Sequence, residues 1–196
     1  MQGAISAAFG RDDRSYHAAP APRGLRAANP RHELSIDFSP EGVRIGDASD
    51  PILLSLRSVG RGETLSPVAA AEPAARANRI EYCRENMTEW YVNGPLGLEQ
   101  GFTLESRPGG SGPLTLSLAI TGEVSVSVRA DGRGLTLARV GRPVLAYEGL
   151  SALELEETVL ALTEERDRLI DEAALNLDGW KRANADLENN KRRHEE

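Results

Sequence analysis

The sequence predicts a mainly β protein, an antiparallel sandwich or stacked sheet, followed by one long α-helix of coiled-coil type. Three observations carry this. Between Asn78 and Leu150, short apolar and β-branched runs alternate with turns built on Gly, Asn and Asp, the pattern of consecutive antiparallel strands. After Ser151 the apolar spacing changes from two to three-and-four, with no proline. The charge shifts at the same place. Residues 1–150 hold 16 Arg and 17 acidic side chains, net −1, whereas 151–196 hold 7 basic and 13 acidic ones, net −6, and both lysines of the chain, Lys181 and Lys191.

Residues 1–30 are rich in Ala, Pro and Arg. Gly3 to Phe9 has the composition of a short helix, but Pro20, Pro22 and Pro30 keep the rest extended, so the segment reads as a flexible lead-in. The antiparallel β-domain is placed at 31–150. Glu33 to Phe38 alternates, with Leu34, Ile36 and Phe38 on one side. Ser39-Pro40-Glu41-Gly42 turns the chain and Val43 to Ile45 returns as a hairpin partner. Pro51 to Val59 is another strand. Gly60 to Ala77, rich in Ala, Pro and Gly, reads as a loop.

Arg79 to Arg84 is a strand, and Glu85-Asn86 a turn into Thr88 to Leu104, the stretch around which a core is expected to nucleate. Trp90, Tyr91 and Val92 suit a pleated, half-buried surface. Asn93-Gly94-Pro95 stops that strand. Gly97 and Gly101 flank a second turn before Phe102 to Leu104. A loop follows from Arg107 to Pro113. Leu114, Leu116, Leu118 and Ile120 then alternate with Thr115, Ser117 and Ala119; Thr121-Gly122 turns the chain; Val124, Val126 and Val128 alternate with Ser125 and Ser127. This is the strongest strand signal in the sequence and reads as a hairpin. Asp131-Gly132 turns again, Leu135 and Leu137 follow, and Val144 to Tyr147 closes the series.

The helix is placed at 151–196. Val159, Leu162, Leu169, Ala173, Trp180, Ala183 and Leu187 fall on one heptad seam, interrupted by Arg166, Asn176 and Asn190. Glu164–Arg168, Asp178–Arg182 and Glu188–Arg192 stand at i,i+4 in the favourable order. A helix of about 40 residues is about 60 Å long, so it projects or pairs, and the seam predicts a parallel helix homodimer.

The remaining features speak against chemistry. Net charge is −7, which argues against nucleic acid or an anionic membrane as partner. No apolar run approaches the length of a membrane-spanning helix. Met1 to Arg11 lacks a basic n-region and a long apolar run, so no signal peptide is expected and the chain reads as cytoplasmic. Cys83 is alone, which excludes an internal disulfide, and reads as a small buried hydrophobe in a strand. His17, His32 and His194 are scattered without ligand spacing. Gly109 to Gly112 lacks the spacing of a nucleophile turn. Asn86-Met87-Thr88 matches a glycosylation acceptor. Glu81, Glu89 and Glu99 are the candidate acid/base carboxylates, and read better as solvated strand-edge charges. Lys191-Arg192-Arg193 reads as helix-end charge complementing the dipole. No catalytic, cofactor-binding or metal-binding residues are assigned, and the chain is expected to be non-enzymatic.

Two resemblances add to this. Arg79-Ile80-Glu81-Tyr82, the run Glu89 to Leu104, Gly112-Pro113-Leu114, Asp131-Gly132 and Leu145 to Leu150 together resemble the N-terminal β-module of secreted bacterial proteins with FG-GAP or related β-propeller repeats. The likeness covers roughly residues 5–150 and implies an extracellular or cell-surface module with a structural or adhesive role. Leu177 to Asn189 with Lys191-Arg192-Arg193, and Glu164 to Leu169 upstream, is similar to the long N-terminal helix of GrpE, the homodimeric nucleotide exchange factor of DnaK-type chaperones. It covers about the last 45 residues. It implies a cytoplasmic, co-chaperone-like homodimer with a DnaK-type partner, in a partial or fused form lacking the GrpE head.

Overall fold

The computed structural model describes residues 2–47 and 49–151, with Arg168, Leu169 and Glu172. Helix α1 spans Gln2–Asp12, and a single 3-10 turn spans Arg14–Tyr16. The strands are β1 (Ala19–Ala21), β2 (Gly24–Asn29), β3 (Leu34–Ser39), β4 (Gly42–Ile45), β5 (Ile52–Arg61), β6 (Thr64–Pro67), β7 (Pro73–Arg76), β8 (Arg79–Arg84), β9 (Met87–Gly94), β10 (Gly97–Leu104), β11 (Leu114–Thr121), β12 (Ser125–Val128), β13 (Leu135–Arg139) and β14 (Arg142–Tyr147). The chain divides into two units, each taken over its described residues: Met1–Ser127 with Thr136–Leu145, and Val128–Leu135 with Ala146–Glu196.

The first unit is built on two antiparallel sheets. One runs β1-β2-β3-β4-β5-β11, with β6 also on β5. β11 pairs with β5 over Leu53 to Arg61, while β4 takes Ile52 to Leu54 and β6 takes Ser58 to Arg61. A strand has two edges, so β4 and β6 follow one another along the edge opposite β11. The second sheet is the meander β7-β8-β9-β10. A third orders β12-β13-β14.

Alternation places the core between the first two sheets. Ala27, Ile36, Phe38, Val43, Ile45 and Leu54 come from one, and Ile80, Tyr82 and Tyr91 from the other. Tyr91 meets Phe38 and Tyr82 edge-on, with ring centroids 5.4 and 6.1 Å apart, the arrangement that ring quadrupoles favour. The register keeps each face consistent: Leu25, Phe38, Val43, Leu54 and Ile120 form one cross-strand rung. Beyond Leu56 the pairing with β11 shifts, and Arg57 is the extra residue of a bulge. The bulge returns Val59 to the side of Leu116.

The sequence expectations are corrected in several places. The fold class is corrected to mainly β among the described residues, and no long C-terminal helix is among them. Helix α1, 11 residues, lies at the other end of the chain; Arg168, Leu169 and Glu172 are helical, and the rest of 152–196 lies outside the described residues. Of the seam positions only Leu169 is described, and it is 52% exposed in the single chain. Val159, Leu162, Ala173, Trp180, Ala183 and Leu187 lie outside the described residues, as do His194 and the Lys191 to Arg193 run. The lead-in at 1–30 carries α1, β1 and β2, because its small residues let backbone dock on backbone. The loop expected at Gly60 to Ala77 holds the end of β5, β6 and β7. Their Pro and Ala content hid them, and edge strands tolerate proline. No turn interrupts Gly97–Leu104, which is one continuous strand in full register with β9. The β11–β12 hairpin does not form: β11 pairs with β5, and β12 with β13. At Gly122 (φ +148°) the Val124 N–H donates to the Gly122 carbonyl, and this short turn ends β11 before β12 can fold back on it.

Candidate functional site

Three polar or exposed constellations stand out in the first unit. The first is a triad of buried asparagines, Asn29 on β2, Asn78 before β8 and Asn93 on β9. Asn93 Nδ2 donates to the Tyr16 carbonyl (2.9 Å) and the Ala28 carbonyl (2.8 Å), and Asn29 Nδ2 donates to Asn93 Oδ1 (2.8 Å) and the Gly94 carbonyl (2.8 Å). Asn78 Nδ2 donates to the carbonyls of Asn93 (2.7 Å) and Ala7 (3.0 Å). Asn93 N–H in turn donates to the Asn78 carbonyl. The triad ties α1, the 3-10 turn, β2 and β9 together. Its donors meet acceptors inside the fold, so the group fixes the structure and presents no chemistry to a ligand.

The second lies at Arg84, Glu89, Tyr91 and Gln100. Glu89 faces the core from β9 and is 4% exposed. Tyr91 Oη donates to Glu89 Oε1 (2.7 Å), Gln100 Nε2 donates to Glu89 Oε1 (2.9 Å) and to Tyr91 Oη (2.8 Å), and Arg84 pairs with Glu89 Oε2 at 3.2 Å. Arg84 Nε also donates to the Ala69 carbonyl, and its guanidinium lies 5.6 Å from the centre of the Tyr82 ring. Burial, then the Glu89 carboxylate, push the Tyr82 phenol above its ordinary range. A charge this far from water persists only when paired and hydrogen-bonded. Both oxygens of Glu89 are held, so it is a fixed ion-pair partner.

The other carboxylate candidates stand elsewhere. Glu81 pairs with Arg79 at 2.6 Å on the opposite face of the same sheet, where Arg79 also lies 4.7 Å from the centre of the Trp90 ring. Trp90 occupies the space that a side chain at Gly101 would fill: a Cβ there would fall 2.0 Å from its Cζ2. Its Nε1 donates to Thr103 Oγ1 at 3.2 Å. Glu99 lies on β10, opposite Val92. The structure therefore does not bring Glu81, Glu89 and Glu99 together. Glu89 is buried rather than a solvated edge charge. Cys83 is exposed rather than buried, because Ile80 and Tyr82 take the inward positions of β8. His17 Nε2 donates to the Arg11 carbonyl and His32 Nε2 to the Pro95 carbonyl. Among the described residues no three His, Cys, Asp or Glu side chains cluster in a way that could hold a metal ion. In the second unit Arg129 pairs with Glu148 (2.9 Å) and Asp131 (3.9 Å) beside a shallow recess that Arg133 and Gly149 complete.

The third constellation is apolar. Gly3, Ser6, Ala7 and Gly10 recur at i, i+3, i+4 and i+7, one face of α1, and that face docks on β9 and β10. A Cβ on Gly10 would lie 2.2 Å from the Asn93 carbonyl oxygen, so only glycine fits there. Ser6 Oγ accepts from the Leu96 N–H at 3.0 Å. The large residues of the helix are consequently turned outward: Ile5 is 64% and Phe9 59% exposed, one turn apart, and Leu96, in the β9–β10 turn beside Ser6, is 60% exposed. Sequence reasoning missed this corner. The small-residue spacing at 3, 6, 7 and 10 was the available signal.

Among the described residues no helix is long and apolar enough to cross a membrane. No protein-family model, curated protein or solved structure matches the chain. The two resemblances to FG-GAP-associated modules and to GrpE rest on the quoted residues alone.

Proposed function

We propose that this chain is a non-enzymatic β-sandwich module with a structural or adhesive role, of the extracellular kind that the FG-GAP resemblance implies. The observation that carries it is the apolar corner of Ile5, Phe9 and Leu96. Large apolar side chains left exposed on an ordered helix and on the turn bonded to it mark a contact surface rather than a core. The buried charges and amides favour the same reading. They are closed on one another and stiffen the body that carries the corner.

The test is adhesion. The chain is displayed on a non-adherent bacterium, and retention under flow is measured on methyl-terminated and hydroxyl-terminated surfaces. Wild type is expected to hold cells on the methyl surface. The triple change Ile5→Ser, Phe9→Ser and Leu96→Ser should return retention to background, with the melting temperature little changed, because exposed substitutions usually cost within about 0.5 kcal/mol. Wild-type retention no better than the triple variant overturns the reading.

A further inference from the structure

We infer that the free edge of β11 is a pairing site for β11 of a second copy of this chain, making one antiparallel sheet continuous across a two-fold axis. β5 is the only hydrogen-bonded neighbour of β11 among the described elements. The outward backbone groups of β11 thus face away from the sheet, and what satisfies such a row is another strand.

The other free edges of the two large sheets are blunted, and β11 is not. β1 is three residues long and centred on Pro20. β6 ends at Pro67. β7 begins at Pro73 and ends at Arg76. β10 carries Glu99. These short lengths, prolines and charges are the devices that keep edges from pairing. β11 is eight residues, Leu-Thr-Leu-Ser-Leu-Ala-Ile-Thr, without charge, proline or glycine. It offers about 26 Å of edge at about 3.3 Å per residue.

Its occupant follows from its own sequence. Two identical antiparallel strands related by a two-fold axis set the residue on the axis opposite its own copy and its neighbours close to theirs on the diagonal, where like charges would repel. β11 has none. Side chains directly opposite one another point to the same face, so the register must match even with even positions and odd with odd. Either Ser117 or Leu118 therefore sits on the axis. Both registers continue the apolar row of Leu114, Leu116, Leu118 and Ile120, which β5 alone leaves no more than half-buried. A one-residue slip would oppose leucine to threonine or serine. The interface is isologous and closes at two copies. It is separate from the apolar corner, so the failure of either leaves the other standing.

The test is solution mass of the full chain by light scattering over a concentration series. Wild type should approach twice the chain mass as concentration rises. Ser117→Lys and Ser117→Glu should each remain at the chain mass, with the circular dichroism of wild type. An equimolar mixture of the two variants should regain the doubled mass, which a misfolded variant would not do. A wild-type monomer at all concentrations overturns the inference. So does a dimer that both folded variants retain, or a mixture of the variants that stays monomeric.

Discussion

β9 and β11 are both eight residues long and both alternate, yet they differ sharply in burial. β9 buries Met87, Glu89, Tyr91, Asn93 and Gly94. β11 buries none of its residues, although its alternation of leucine with serine and threonine is the cleaner of the two. The difference is position. β9 has β8 on one edge and β10 on the other, and β3 and β4 cover its inner face through Phe38 and Val43. β11 has β5 alone. Amphipathic pattern says which face of a strand turns inward; the number of paired edges decides how deep the strand lies.

A central strand can then bury polar groups, because neighbours on both sides satisfy them. Asn93 is the sharpest case. Replacing it with Ala strips the partners from the Tyr16 and Ala28 carbonyls and one partner from Asn29. At about 1–3 kcal/mol for each buried group left unsatisfied, the expected loss is about 3 kcal/mol or more by urea unfolding. Leu116→Ala on β11 should cost only about 1–2 kcal/mol, below the usual range for a fully buried leucine. Equal losses would break the comparison.

Tyr82, buried against the inner face of β9, gives a smaller effect with a defined sign. Burial raises its folded-state pKa above the ordinary 10.0. The stabilisation is complete below pH 10. As the pH rises further the unfolded chain releases its proton first, and stability falls until the folded phenol also ionises. Melting followed from pH 8 to 11 should show wild type losing about 1 kcal/mol more than Tyr82→Phe over the last unit. Parallel curves for the two proteins would place Tyr82 in contact with water.

β8 and β9 of the meander and the β3–β4 hairpin were legible because their alternation and turn residues agree, whereas β7 and the first half of β10 were not. Ile36 and Phe38 follow directly from period two, whereas on β8 the inward side proved to be that of Ile80 and Tyr82 and not that of Cys83. What could not be read is pairing between distant segments. Nothing local in Leu114 to Thr121 says that its partner is β5, more than fifty residues earlier. The near turn at Thr121-Gly122 suggested a hairpin that the bond from Val124 to Gly122 forecloses. The α1 corner was hidden for a related reason. Helical amphipathicity looks for a large apolar face turned inward, and α1 docks by its small face, since the Asn93 carbonyl leaves no room for a side chain at Gly10. Glu89 was read as a surface charge because its partners Arg84, Tyr91 and Gln100 are set by register across three strands.

The most direct measurement is native-state hydrogen exchange of β9 and β11 in the full chain at low and high protein concentration. β9 should exchange slowly along its length at both concentrations. On β11 alternate amides should exchange fast in dilute protein and slow down as concentration rises and the edge pairs. Uniform protection of β11 at high dilution, or an exchange pattern that ignores concentration, would contradict the claim that this strand keeps a free edge for a second copy.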